Sequence, residues 1–126
     1  MAILSVEDFC AGLAPGLRLL ALDVGDKTIG LASAVVGQDL VMPLKTLMRQ
    51  KFTRDAADLA VVIQDYDVAG LVVGWPLLPD GRAGKRCQSV RDFTAELDRS
   101  LNAAGQDVPI TFWDERVSTR AEDEQI

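Results

Sequence analysis

Three short apolar runs punctuate the chain: Leu19 to Leu22, Val68 to Val73 and Ile110 to Trp113. Each is nearly continuous rather than alternating, the pattern of a strand covered on both faces in a parallel sheet. Helical spacing fills the gaps between them. From Thr53 onward, Ala56, Ala60 and Ile63 share one helix face. Farther along, Val90, Phe93, Leu97, Leu101 and Ala104 recur at helical intervals, with Ser89 and Asp92 at capping-box distance and Gly105 as a stop. Strand, helix, strand, helix, strand predicts right-handed parallel crossovers.

The stretch from Thr28 to Met48 has a different organisation. Gly25-Asp26-Lys27 is too short for a crossover, so a second strand over about Thr28 to Val36 must return antiparallel to the first. Gly37-Gln38-Asp39 makes a further tight turn. The third strand, Leu40 to Met48, contains Pro43, which donates nothing to a ladder and therefore favours a sheet edge. The predicted fold is α/β: a mixed five-stranded sheet in the order 3-2-1-4-5 flanked by helices. Residues 1–17 read as an N-terminal extension ahead of a domain spanning 18–126. In the extension, Ser5 and Asp8 have capping-box spacing, Val6, Phe9 and Leu13 share a face, and Pro15-Gly16 marks the stop.

This topology brings the C-terminal ends of strands 1, 4 and 5 to one edge, where open α/β sheets bind their ligands. Asp23 follows strand 1, Gly74-Trp75-Pro76 follows strand 4, and Asp114-Glu115-Arg116 follows strand 5. Neighbouring residues on a strand point to opposite faces, so only one of Asp114 and Glu115 can look into a common site, and Glu115 is the expected one. Carboxylates brought together repel unless a cation lies between them, and oxygen ligands without His or Cys suit Mg²⁺ or Mn²⁺. Each piece also has a plainer explanation. Asp23 could close the hairpin as an Asx turn, Glu115 and Arg116 could form a surface pair, and Trp75 could be core packing or a base-stacking surface.

Composition narrows the class. A chain of 126 residues with 48% hydrophobic and 25% charged residues is expected to be one globular domain. The opening MAILSVEDFC lacks the basic start of a signal peptide, and no apolar run is long enough for a membrane span. There is no histidine, and the two cysteines, Cys10 and Cys87, are far apart; zinc sites and Ser-His or Cys-His pairs are excluded. Reduced, structural cysteines in a cytoplasm are the expectation. The net charge of −6 opposes nucleic-acid binding taken alone. Its distribution is uneven, though: residues 45–54 and 82–91 each carry four basic side chains and no acid, while 114–126 carry five acids against two arginines.

Three blocks in order, ALDVGDKTIGLA, LVVGWPLLPDG and FWDERVSTRAE, resemble the YqgF family, ribonuclease-H-like proteins also described as Holliday junction resolvases and associated with 5′-end maturation of pre-16S rRNA. The resemblance covers about residues 18 to 126. It implies a ribonuclease-H-like fold and a divalent-metal nuclease of the bacterial cytoplasm, with Asp23 and Glu115 as catalytic metal ligands and Mg²⁺ or Mn²⁺ as cofactor. Expected substrate contacts are Lys27, Gly74, Trp75, Lys85, Arg86 and Arg91. The expected partner is nucleic acid, either rRNA precursor or branched DNA; the oligomeric state stays open, a homodimer included. Three departures stand out. Asp26 replaces the family's threonine, Trp75 replaces an aliphatic residue, and the third family acid, in a C-terminal helix past the D-E-R block, has no counterpart here. Thr119 and Glu122 have capping-box spacing, so a helix is expected to begin close to Ile126 and be cut short, with weak or absent cleavage as the implied consequence. The competing readings are a non-catalytic RNA-binding ribosome-assembly factor and an ATPase of the actin and sugar-kinase type. The ATPase would need a second lobe for which 126 residues leave no room.

Overall fold

The computed structural model describes residues 3–39, 41–76 and 80–114. Its elements run α1 (Val6–Ala11), β1 (Arg18–Val24), β2 (Thr28–Val35), β3 (Val41–Met48), α2 (Phe52–Asp65), β4 (Val68–Trp75), α3 (Lys85–Ala103) and β5 (Ile110–Asp114). The strands form one sheet in the order β3-β2-β1-β4-β5, as the sequence pattern predicts. β1 pairs antiparallel with β2 and parallel with β4, and β5 adds parallel to β4.

Local chemistry explains the turns. The β1–β2 hairpin closes through Gly25 N–H donating to the Thr28 carbonyl at 2.9 Å. Gly37 adopts φ 91° in the β2–β3 turn, a conformation that costs residues with a Cβ. β3 lies at the edge that Pro43 demands. Its register against β2 jumps from Leu31↔Lys45 to Ala32↔Pro43, so Leu44 is the extra residue of a bulge beside the proline.

The main core lies on one face. Leu20, Leu22, Ile29, Leu71 and Val73 of the sheet meet Leu59, Val62 and Ile63 of α2 and Val90, Leu97 and Leu101 of α3, all essentially inaccessible to solvent. The expectation of strands buried on both faces is corrected here. Buried positions largely alternate with half-buried or exposed ones along β1, β2 and β4, because α2 and α3 both lie on the same side; Gly70, under Phe9, interrupts the alternation in β4. The other side carries α1 over part of its area. Phe9 is 3% exposed and stands against Gly70 and Leu19. The residues ahead of α1 run along the outer edge of β5: Leu4 N–H donates to the Ile110 carbonyl at 2.7 Å, and the Thr111 hydroxyl donates to the Leu4 carbonyl at 3.0 Å. The N-terminal residues thus cover the edge that β5 would otherwise expose.

Two helix boundaries differ from expectation. α1 is capped as predicted, the Asp8 N–H donating to Ser5 Oγ at 3.2 Å, but it ends at Ala11 with Gly12 as its cap, before Pro15-Gly16. α3 begins at Lys85 with Gly84 as N-cap, so Ser89 and Asp92 lie inside the helix and do not cap it. The buried Cys87 extends the apolar stripe a further turn beyond Val90, and Asp92 Oδ1 instead accepts from Gln88 Nε2 at 2.9 Å. Gly105 does terminate α3, at φ 79°.

Candidate functional site

Directly paired residues on neighbouring strands project to the same face, so the register defines rows across the sheet. One such row contains Thr46 on β3, Gly30 on β2 and Asp23 on β1. On β4 and β5 it continues through Gly74 and Trp113, since Leu22 pairs with Val73 and Gly74 pairs with Trp113. This face is the one opposite α2 and α3. Here Asp23 is exposed, with a glycine on each flanking strand, and with Thr46 and Trp113 as the outer members of the row. The next row toward the strands' N-terminal ends is built from small side chains, Ala32, Ala21 and Val72. Together these residues line a groove of about 610 Å³ that crosses the sheet and reaches Lys45 on β3.

The two glycines create the space around Asp23. A Cβ built on Gly30 would lie 3.6 Å from Asp23 Cβ, ordinary contact distance, so a larger side chain there would stand beside the carboxylate. Asp23 therefore sits on an open, low floor in mid-sheet, where strands 1 and 4 lie parallel and a ligand can approach their C-terminal ends.

The turn just beyond Asp23 is held at two points by Arg49. Its Nη1 donates to the Gly25 carbonyl at 2.9 Å, and its backbone N–H donates to the Lys27 carbonyl at 2.9 Å. Its Nε lies 3.7 Å from Asp55 Oδ2, and its guanidinium lies 5.0 Å from the centre of the Phe93 ring. Asp55 is 1% exposed; its Oδ1 accepts from the Gln50 N–H at 3.0 Å, while Oδ2 has no hydrogen bond among the described residues and relies on the Arg49 charge. Arg49 thus belongs to the scaffold rather than to a solvated basic face, although the run KTLMRQKFTR that contains it looked uniform in the sequence.

The other expected site residues separate into groups. Gly74 lies in the groove with Asp23. Lys27 is exposed on the hairpin turn, and Lys85 and Arg86 are exposed in the first turn of α3, which contains no acid. Trp75 is on the opposite face from Asp23. Its ring packs 5.0 Å from that of Phe112, and the Arg91 guanidinium lies 5.4 Å over it. Trp75 and Arg91 therefore pair with each other rather than with Asp23. Asp114, the register partner of Trp75, shares that face. Glu115 falls outside the described residues, as do 77–79 and the expected helix start at Thr119. Sequence reasoning missed Trp113. Its signal was available only through register, because the partner of Gly74 on β5 has to be known before Trp113 can be placed in the Asp23 row.

As a cation ligand, Asp23 offers exposed carboxylate oxygens with open space on both sides, a donor type that suits Mg²⁺ or Mn²⁺. Among the described residues no three His, Cys, Asp or Glu side chains group to hold a metal ion. Asp23 is the one expected ligand that the described residues contain. No helix among them is long and apolar enough to cross a membrane.

Comparison with known proteins extends this picture. Residues 17–126 match the family described as "RuvX: Holliday junction resolvase". A curated protein of Paramagnetospirillum magneticum, named "Putative pre-16S rRNA nuclease", is 47% identical over 121 residues, covering 96% of this chain and 75% of that protein. A protein of the same name from Rhodospirillum centenum is 46% identical over 96% of this chain; only 64% of its length is matched. Among solved structures, Thermus thermophilus RuvC superposes with a TM-score of 0.56 at 16% identity, over 78% of this chain and 64% of that one. The T. thermophilus RuvC complex with a Holliday junction substrate gives 0.54 at 13% identity, with the same coverage. At such identities the likeness establishes the fold alone, the mixed five-stranded arrangement that RuvC shares.

Proposed function

The chain belongs to the RuvX Holliday junction resolvase family, and from that premise we propose that it is a divalent-metal nuclease that hydrolyses phosphodiester bonds in precursor ribosomal RNA. The observation that carries this reading is the placement of Asp23: an exposed carboxylate in mid-sheet, between two glycines, on the floor of a groove of about 610 Å³. Asp23 and Glu115 are the proposed metal ligands. A bound Mg²⁺ or Mn²⁺ would lower the pKa of a water and stabilise charge on the phosphate oxygens. Gly30 and Gly74 keep the floor clear for the phosphodiester. Lys27 on the hairpin turn and Lys85 and Arg86 on α3 supply positive charge at the same end of the strands, offsetting locally the net charge of −6. The setting is the bacterial cytoplasm, where rRNA precursors are processed.

The shared name of the curated relatives favours RNA. The family description favours a branched DNA junction as the second reading. The test is cleavage of a labelled pre-16S 5′ fragment and of a four-way junction in Mg²⁺ and in Mn²⁺, with Asp23→Asn and Glu115→Gln alongside. Cleavage of the RNA that both substitutions abolish supports the proposal. Salt-sensitive RNA binding with no cleavage in either metal would instead identify an RNA-binding assembly factor.

A further inference from the structure

A second cavity, of about 410 Å³, opens beside the Asp23 groove and is lined by Val6, Trp75, Arg91, Phe112, Trp113 and Asp114. Trp113 lines both cavities and is therefore the wall between them. It belongs to the Asp23 row, two strand spacings away, which puts the two backbones roughly 10 Å apart. Trp113 is 41% exposed. Trp75 and Phe112, 5.0 Å apart, contribute the aromatic lining, and Arg91 lies across Trp75.

We propose that this cavity receives an unpaired nucleobase next to the scissile phosphate, with Trp113 as its stacking surface. The inference rests on the nucleic-acid reading of the groove and adds to it the form of the substrate. Three features select a nucleobase over another apolar group. Trp113 lines both this cavity and the groove assigned to the sugar-phosphate chain, while Trp75, Phe112 and Asp114 belong to the opposite face, so one nucleotide that rounds Trp113 can hold its phosphate near Asp23 and its base against the indole. Positive charge lies nearby for the adjoining phosphate: Arg91 lines the cavity together with Asp114, and Lys85 and Arg86 are exposed on the preceding turns of the same helix, with no acid in its first turn. Finally, Val6, Trp75, Phe112 and Trp113 make the lining largely aromatic and apolar, with Arg91 and Asp114 beside them, a mixture of aromatic surface and cation that single-strand stacking sites use. A base inside a continuous duplex is stacked on both sides and cannot enter, so the cavity selects for a single-stranded or frayed nucleotide at the cleavage position.

The test is equilibrium binding in EDTA, which separates it from metal chemistry. The probes are a fluorescent ten-nucleotide oligouridine and a blunt RNA duplex of equal length, measured against the wild-type chain, Trp113→Ala and Trp113→Phe, with circular dichroism as the folding control. The expected result is about a tenfold loss of oligouridine affinity in Trp113→Ala, most of it restored in Trp113→Phe, with duplex affinity unchanged. If both probes bind and Trp113→Ala weakens neither, or weakens both equally, the stacking site is wrong and the nuclease reading stands. If the wild-type chain binds neither probe, the nucleic-acid reading fails as well. Should Trp113→Ala fail to fold, the Trp113→Phe and wild-type pair still decides: equal affinity for the single strand with strong preference over duplex supports the site, and equal affinity for both probes overturns it.

Discussion

Arg49 Nη1 donates to the Gly25 carbonyl across the turn that follows Asp23, at 2.9 Å, while the same guanidinium faces the buried Asp55. The hairpin that presents Asp23 is thereby tied to the first turn of α2 and, through the Phe93 ring, to α3. A single side chain connects the site to the core on the far face of the sheet.

Removing it leaves Asp55 buried without a countercharge. Arg49→Ala is expected to destabilise the fold by about 3 kcal/mol, the usual cost of orphaning one member of a buried pair. Asp55→Asn in the same chain should recover much of that loss, since the amide oxygen still accepts from Gln50 N–H and no charge is stranded. Urea denaturation of the two single variants and the double variant measures the coupling; additive losses would show that the two residues act independently.

Phe9 fastens the N-terminal helix to the sheet. A Cβ on Gly70 would fall 2.7 Å from Phe9 Cζ, closer than atoms can pack, and 3.2 Å from Leu19 Cδ2, a tight contact. Gly70→Ala should therefore destabilise the chain by about 1–3 kcal/mol through overpacking, and Phe9→Ala by about 3 kcal/mol through an emptied site. In hydrogen exchange, both should lower protection of the Leu4 amide, which bonds to Ile110, before that of the central β1 amides.

Gly30 separates stability from activity. Alanine fits there at ordinary contact distance from Asp23, and replacing a strand glycine restrains the unfolded chain, so Gly30→Ala should change stability by less than about 1 kcal/mol, in the stabilising direction. Gly30→Val places two further methyl groups beside the carboxylate. Its cleavage rate should fall at least tenfold more than that of Gly30→Ala while its fold persists, as thermal melts and single-turnover assays on the same preparations would show.

Much of the fold was legible because its signals are local. Gly25-Asp26-Lys27 forces a hairpin, Pro43 forces an edge, and apolar spacing marks the two crossover helices, which together dictate the strand order. What escaped depends on tertiary contact. Ser89 and Asp92 have the spacing of a cap, yet the buried Cys87 draws the helix start back to Lys85. Continuous apolar runs suggested cover on both faces, but Ala21, Gly30, Ala32 and Gly74 are small enough to pave an open groove. Asp23 could be nominated from the strand-then-acid pattern alone. Trp113 could not, since its place beside Asp23 follows from the β4–β5 register, and Trp75, the tryptophan that the pattern did nominate, turns to the other face to meet Phe112 and Arg91.

Metal affinity tests the central claim most directly. Asp23 is exposed, so Asp23→Asn should leave stability within about 0.5 kcal/mol and preserve the groove. Calorimetric titration of Mn²⁺ into the wild-type chain should reveal a site that Asp23→Asn weakens at least tenfold. Equal Mn²⁺ affinity in the two proteins, both folded, would contradict the account.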